Sequence, residues 1–333
     1  MKYIALPPIG VQRLSFYLAM EEYVARHLQE EGDCFFMWQV EPSVIFGRNQ
    51  LIENEVNMDY CRAHHIQTYR RKSGGGCVYA DMSNVMCSYI TKADNVALTY
   101  NRYINMVVLV LRKLGVEARA GGRNDIMIGD RKVSGNAFYH LPGRSIVHGT
   151  LLYDTNMQNM VGAITPTNEK LLSKGVESVR QRIALLKDYL SVSLDEVKNT
   201  MRSTLCDGEI MLNEHDIEAI REIEREYLSP SFIYGNNPKY TIVKKRRIEG
   251  VGEFELRMEM KNRLISDVNL VGDFFIVGDL DGALLKPMKG VERSEEALAS
   301  VIPEHTEEII LHLKREDLIS MMTDSNLSTP DGL

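Results

Sequence analysis

The five cysteines of this 333-residue chain, Cys34, Cys61, Cys77, Cys87 and Cys206, are odd in number and contain no CxxC pair. Such spacing offers neither a disulfide framework nor a zinc site, and reduced thiols in a cytoplasmic protein are the expectation. Long apolar runs are missing too. None is long enough to span a bilayer, and the opening MKYIALPPIG has no apolar stretch of the secretory kind. Positive charge is not in excess: the net charge is −7, so the molecule as a whole is not built to sit on nucleic acid or an anionic membrane. Neither GxxxxGK(S/T) nor GxGxxG occurs, and no internal repeat is visible.

What is present is apolar material, 44% of residues, enough for two domains or one large domain with an appendage. Leu14, Leu18, Met20, Val24 and Leu28 give a helix over 14–30 a broad apolar face. The short runs 35–38 and 43–47 read as buried strands separated at Pro42, and 59–65 as a short helix. Ile104, Val107, Val108, Leu111 and Leu114 keep helical spacing until Gly115 stops it, and 116–120 follows as a strand. Ile126 and Ile128 alternate into the turn dipeptide Gly129-Asp130, with Lys132 and Val133 beyond it. Ser193 to Glu196 fits a capping box opening a helix toward Cys206. Ile217, Ile220, Ile223 and Tyr227 mark another helix, halted near Pro230.

Around 234–252 the composition shifts to Gly, Asn and Pro and the basic run Lys244-Lys245-Arg246-Arg247. That shift places a domain junction near residue 245, dividing the chain into 1–245 and 246–333. Beyond it, 254–260 and 264–271 read as a pair of strands, 295–301 and 307–321 as helices, and 323–333 as a polar, frayed tail. The fold class that follows is α/β or α+β, in layers.

Three clusters carry chemistry. The first runs Arg70-Arg71-Lys72-Ser73-Gly74-Gly75-Gly76-Cys77-Val78-Tyr79-Ala80-Asp81. Its three glycines remove every Cβ from a stretch of backbone, so a ligand can approach the main chain and successive N–H groups can converge on an anion. The bland alternative is a surface turn with a solvated basic flank. The second joins Gly121-Gly122-Arg123-Asn124-Asp125 to Gly129-Asp130-Arg131-Lys132-Val133-Ser134-Gly135-Asn136-Ala137. Asn124 and Asp125 offer the oxygens that Mg²⁺ takes alongside substrate phosphates, and Lys132 offers an ammonium for a phosphate and a carbonyl oxygen at once. An ordinary polar hairpin is the alternative. The third is Val147-His148-Gly149-Thr150-Leu151-Leu152-Tyr153, where His148 either contacts a ligand or is a core histidine satisfied by a backbone group.

These clusters, with SKGVESVRQR at 173–182, stand in the order and spacing seen in lipoate–protein ligases, and over 14–182 the chain resembles that family. Tyr234-Gly235-Asn236-Asn237-Pro238 and Gly272-Asp273-Phe274-Phe275 are weaker traits, the latter similar to the small accessory domain of the bacterial ligases. The resemblance implies a large domain with the mixed, helix-flanked sheet shared by biotin and lipoate ligases, plus a small C-terminal α+β accessory domain. It implies activation of free lipoate by ATP and Mg²⁺ to lipoyl-AMP with release of pyrophosphate. Transfer would follow to a lysine of apo lipoyl domains of 2-oxoacid dehydrogenase complexes or of the glycine-cleavage H protein, by a cytoplasmic monomer.

Residue by residue, the resemblance gives Lys132 the carboxyl carbonyl of lipoate and the α-phosphate. Arg71 and the backbone of Gly76, Cys77, Val78 and Tyr79 would hold the nucleotide. Ser73, Gly74 and Gly75 would lie beside the lipoyl chain, and His148 would line the lipoate pocket. Asn124 and Asp125 would approach the adenylate, with Asp125 on the metal. Two departures stand out: Ala80 occupies a position where the family often has histidine, and the loop between Ile126 and Arg131 is short. The rival readings are an octanoyl or lipoyl acyltransferase working through a cysteine thioester, and a non-catalytic lipoate-binding regulator. Against the first, Cys77 and Cys87 read as small core residues. The basic run 244–247 is a candidate receiver of acidic acceptor domains, or a solvated linker.

Overall fold

The apolar face expected over 14–30 becomes the helix Leu14–His27, but it is buried nearly all round, from Leu14 to Ala25. A helix so enclosed must also bury its polar side chains, and Glu21 and Glu22 are both inside. Its partner is the helix Glu214–Leu228. Polar bridges join the two: Arg13 Nε to Glu224 Oε1 at 2.7 Å, Ser15 Oγ to the same oxygen at 2.6 Å, Tyr23 Oη to Asp216, and Tyr227 Oη to Glu22. Buried carboxylates need such donors, because an unpaired one costs several kcal/mol, on the order of 3–5. The computed structural model describes residues 1–92, 95–122, 124–164, 181–235, 242–261 and 264–324. Arg123, most of the SKGVESVRQR motif, Asn236 to Pro238 and the tail from 325 lie outside them.

The chain forms two compact units: 1–46, 52–71 and 77–233, and 47–51, 72–76 and 234–333. In the first, the strands are β1 (Lys2–Ala5), β2 (Cys34–Trp38), β3 (Ser43–Phe46), β4 (Gln67–Arg70), β5 (Val78–Ala80), β6 (Val85–Lys92), β7 (Ala118–Gly121), β8 (Asp125–Ile128), β9 (Arg131–Leu141), β10 (Arg144–Leu151) and β11 (Gly208–Met211). Eight make one mixed sheet in the order β11-β1-β2-β6-β10-β9-β8-β7. β11, β1 and β2 run parallel, and the remaining pairings are antiparallel. β10 lies between β6 and β9 along its whole length and every residue in it is buried. A smaller sheet, β4-β3-β5, carries the entry to and exit from the glycine run.

Helical spacing begins earlier than Ile104: the helix is Val96–Lys113, opened by Asn95, whose side chain accepts from Leu98 N–H. The capping box at Ser193 and Glu196 is formed in both directions and starts the helix Leu194–Leu205. The next helix also has one, Asn213 with Asp216.

The second unit holds a three-stranded antiparallel meander, β12 (Ile242–Ile248), β13 (Gly252–Lys261) and β14 (Leu264–Gly272). Residue 245, near which composition placed the junction, lies inside β12, whose register with β13 runs unbroken from Ile242 to Ile248. The helix Glu295–Val301 is as expected. The helix expected over 307–321 is shorter, starting at Arg315. Leu311 N–H donates to Phe275 O at 2.9 Å, Val277 N–H donates to Ile309 O at 2.8 Å, and His312 turns the chain at φ 63°. Those backbone bonds, with a short 3-10 turn at Thr306–Glu308, break the segment into turns where an apolar pattern alone reads as one helix.

Candidate active site

The hairpin β8–β9 is irregular at one point, and that irregularity positions Lys132. Ile126 pairs with Ser134 but Met127 pairs with Lys132, so Val133 is an extra residue on β9. In a regular strand Lys132 and Gly135 would point to opposite faces, being an odd number of residues apart. The bulge restores them to one face, together with Asp125, the partner of Gly135. Lys132 Nζ consequently lies 2.8 Å from Asp125 Oδ1, with both side chains partly exposed. Its chain crosses directly over Gly135, where a Cβ would stand 2.7 Å from both Cε and Nζ. The backbone is fixed as well: Lys132 O accepts from Ala184 N–H at 2.8 Å and Val133 O from Leu152 N–H at 2.9 Å.

Asn124 is engaged in closing this hairpin. Its side-chain amide donates to Asn136 O, and Asn136 returns the bond from Nδ2 to Asn124 O at 2.8 Å. Ser134 Oγ donates to Asn136 Oδ1 at 3.1 Å. Gly149, opposite Asn136 on β10, makes room for that side chain: a Cβ would sit 2.9 Å from Asn136 Cγ and from Tyr103 Oη. Asp125 is a single carboxylate, and among the described residues no three His, Cys, Asp or Glu side chains converge. This donor set fits Mg²⁺ in its mode of one or two carboxylates plus substrate phosphates, and does not fit an all-protein cage.

His148 stands on β10 opposite Ala137 and is buried. Its Nδ1 meets a side chain, lying 3.0 and 2.9 Å from Glu21 Oε1 and Oε2. Ser88 Oγ donates to Glu21 Oε1 at 2.6 Å, and Trp38 Nε1 donates to Ser88 Oγ at 2.9 Å. Tyr17 stacks on Trp38 with ring centroids 4.9 Å apart. Sequence reading missed Glu21, Ser88 and Trp38. The available signal was a Glu-Glu pair within the apolar face of the first helix, since buried carboxylates require partners.

Arg71 follows β4 and is buried; its N–H donates to Phe46 O at 3.1 Å and its Nη1 to Ile45 O at 3.2 Å. Desolvation lowers its pKa to about 10, still far above neutrality. Arg70 is held differently, with its guanidinium 4.6 Å from the Phe46 ring centroid and Nε donating to Ile233 O at 2.8 Å. Val78 is half-buried, and Tyr79 and Ala80 are buried on β5; Ala80 packs in the main core as an apolar residue. Asp81 accepts from Ser83 N–H, Asn84 Nδ2 and Asn156 N–H at 2.9 to 3.0 Å, which pins the turn into β6. Burial pushes the half-buried Cys77 thiol well up and that of Cys87 to about 12.

Within the second unit, the glycine run has two kinds of glycine. A Cβ on Gly74 would lie 3.1 Å from Phe275 Cα and still closer to Phe274 O. Gly75 adopts φ 87° and donates its N–H to Phe274 O at 3.2 Å. A Cβ on Gly76 would meet nothing within 4 Å. Ser73 is buried and its carbonyl accepts from Arg48 N–H at 2.9 Å. So the absence of a Cβ serves main-chain packing at Gly74 and a left-handed φ at Gly75, whereas Gly76 has room for one. The basic run lies on β12, an edge strand. Lys245 pairs with Glu255 at 2.9 Å and Arg247 with Glu253 at 3.0 Å, and Lys244 is buried beside Asp324 O. Charged edge strands resist pairing with other chains, a sufficient reason for these residues.

The family model described as the lipoyl protein ligase A/B catalytic domain matches residues 14–206. That described as the bacterial lipoate protein ligase C-terminus matches residues 237–322. Lipoate–protein ligase 1 of Staphylococcus aureus is 35% identical over 317 residues, covering 92% of this chain and 95% of that protein. The structure of a bi-partite lipoate protein ligase and its E2 lipoyl domain from Thermoplasma acidophilum superposes with a TM-score of 0.64 at 28% identity, covering 72% of this chain and 98% of that one. A lipoate-protein ligase A bound with ATP superposes with a TM-score of 0.61 at 27% identity, covering 70% of this chain and 98% of that one. With its mixed helix-flanked sheet, its small C-terminal sheet, and both domain types matched in order, the chain belongs to the lipoate–protein ligase family and is an enzyme of the ligase class.

Proposed function

We propose that this ligase activates free lipoate with ATP and then acylates a lysine on an acceptor protein. A carboxylate is a poor acyl donor, because its oxygen leaves badly. In the first step a lipoate carboxylate oxygen attacks the α-phosphorus, the bond to the β-phosphate oxygen breaks, and pyrophosphate leaves with lipoyl-AMP formed. In the second, the acceptor's neutral amine attacks the acyl carbon. The C–O bond to phosphate breaks, AMP leaves, and an amide remains.

The observation that carries this reading is the placement of Lys132. A bulge, a glycine and a carboxylate hold its ammonium on one face of the hairpin, where a fixed positive charge stabilises oxygens that become negative in both steps. Arg71, the backbone from Gly76 to Tyr79 and Asn124 are proposed for the nucleotide. Ser73 to Gly75 are proposed for the lipoyl chain and His148 for the end of its pocket. When bound, Mg²⁺ would neutralise phosphate charge, with Asp125 as its protein ligand. The ATP-bound and lipoyl-domain-associated relatives support ATP and a lipoyl domain as substrates. The lipoyl domains of 2-oxoacid dehydrogenase complexes and the glycine-cleavage H protein are the acceptors to try.

The thioester route has little support. Burial raises every one of the five thiols, Cys34 and Cys206 to about 11, Cys87 to about 12, and Cys61 and Cys77 upward. A nucleophilic cysteine needs the opposite shift. The deciding experiment is pyrophosphate release from ATP and Mg²⁺ on adding lipoate with no acceptor present. Lipoate-dependent release, weak with biotin, is expected. Acyl transfer to an apo lipoyl domain that proceeds equally without ATP would overturn the reading.

A further inference from the structure

The chain Trp38, Ser88, Glu21, His148 has a direction that can be read without observing a hydrogen. An indole nitrogen donates and never accepts. Trp38 Nε1, 2.9 Å from Ser88 Oγ, therefore uses that hydroxyl as an acceptor. Ser88 has one proton, and with Trp38 on its lone pair that proton goes to Glu21 Oε1 at 2.6 Å. Glu21 thus receives. Both its oxygens share His148 Nδ1, at 3.0 and 2.9 Å, the geometry of one N–H divided over a carboxylate. All four residues are buried, Glu21 and Ser88 at 0% exposure.

We infer that Glu21 is a positioning residue, which fixes His148 in the Nδ1–H form and so sets the hydrogen-bonding character that His148 presents to the acyl substrate. The inference rests on the reading of His148 as part of the lipoate pocket. As a carboxylate Glu21 can only accept, so Nδ1 donates; the other tautomer would set two acceptors against each other in a buried contact. Nε2 is then an acceptor whenever the ring is neutral. A ligand atom meeting it is selected for what it donates, and the ring cannot turn over to suit a different one. Second-layer partners of this kind commonly decide which imidazole nitrogen works.

The test uses the full-length protein, ¹⁵N-labelled at histidine, with Glu21→Gln, His148→Gln and the double variant. In the unaltered protein the ¹⁵N shifts of His148 are expected to report a protonated Nδ1. Glu21→Gln offers an amide donor toward Nδ1 and is expected to move the proton to Nε2. Each single variant is expected to raise the KM for lipoate about tenfold, with kcat changed less than about threefold, as for loss of one oriented hydrogen bond. The double variant is expected to be no worse than His148→Gln alone. An Nε2-protonated His148 in the unaltered enzyme overturns the inference, and that measurement needs no variant to fold. Multiplicative KM effects in the double variant also overturn it, leaving the pocket reading standing. If His148→Gln leaves the KM unchanged, the pocket reading fails and the inference with it.

Discussion

Lys132 Nζ lies 2.8 Å from Asp125 Oδ1 because Val133 is an extra residue on β9 between Lys132 and Gly135, the partner of Asp125. Lys132→Ala is expected to lower lipoate-dependent pyrophosphate release on the order of 10²–10³-fold, with the melting temperature little changed, since the side chain is partly exposed. Lys132→Arg is not expected to restore the rate, because a guanidinium is a planar fork and the ammonium a compact charge. Pyrophosphate release measured beside thermal melting checks both.

Gly135 is a second route to the same site. A Cβ there stands 2.7 Å from Lys132 Cε and Nζ, and the flexible lysine head must move. Gly135→Ala is expected to lower adenylation on the order of 10²-fold, the cost of an ångström-scale misplacement, while leaving the protein folded. Adenylation within twofold of the unaltered rate would show that Lys132 acts from another position.

The three successive glycines should respond differently. Gly75→Ala forces a side chain onto φ 87°, costing about 1–2 kcal/mol. Gly74→Ala drives a Cβ into the main chain of Phe274 and Phe275 and should cost at least as much. Gly76→Ala meets nothing within 4 Å and should stay within about 0.5 kcal/mol, yet raise the KM for ATP if that backbone binds nucleotide. Denaturant melts and ATP titrations on the three variants separate these outcomes.

His140 is partly buried with Nδ1 3.0 Å from Ser145 Oγ, and burial lowers its pKa from 6.5. Between that lowered value and 6.5 the unfolded chain binds a proton that the folded chain refuses. Stability from this group is therefore full above pH 6.5 and declines as the pH falls through that window. His140→Gln should flatten part of the decline in melting temperature between pH 7.5 and 5.5. An unchanged slope would remove His140 as a contributor.

The sequence made some features legible through local chemistry. Gly129-Asp130 marked the hairpin turn, with Gly129 at φ 57°. Ser193 and Glu196 marked a helix start that forms as expected. Lys132 and Asp125 were named as candidates and are brought together. Other features depend on pairings that no local pattern announces. The bulge at Val133 follows from which residues β8 and β9 align, and the non-helical turns before Arg315 from backbone bonds to 275–277. Asn124 reads as a nucleotide contact because its side chain offers an oxygen; that its amide nitrogen also closes a hairpin depends on Asn136 across the turn, which no local pattern announces. Glu21 was passed over because it sits among apolar residues whose periodicity dominates the reading, and its partners Ser88 and His148 come from other strands.

The parallel pairing of β1 with β11 sets Lys2 against Gly208 and Ala5 against Met211, which imposes an order of events on a chain made from one end. At about 5–20 residues per second, the first strand waits roughly ten to forty seconds for its outer neighbour to be synthesised. The helix Leu14–His27 waits as long for Asp216, Glu224 and Tyr227, which satisfy Tyr23, Arg13 and Glu22. During that interval the face of the helix that carries Glu22 and meets Glu214–Leu228 has no cover from its own chain. A nascent chain arrested before residue 214 should therefore be an avid client of chaperones that bind exposed apolar helices, and one arrested after residue 228, with the helix clear of the ribosome, should be released.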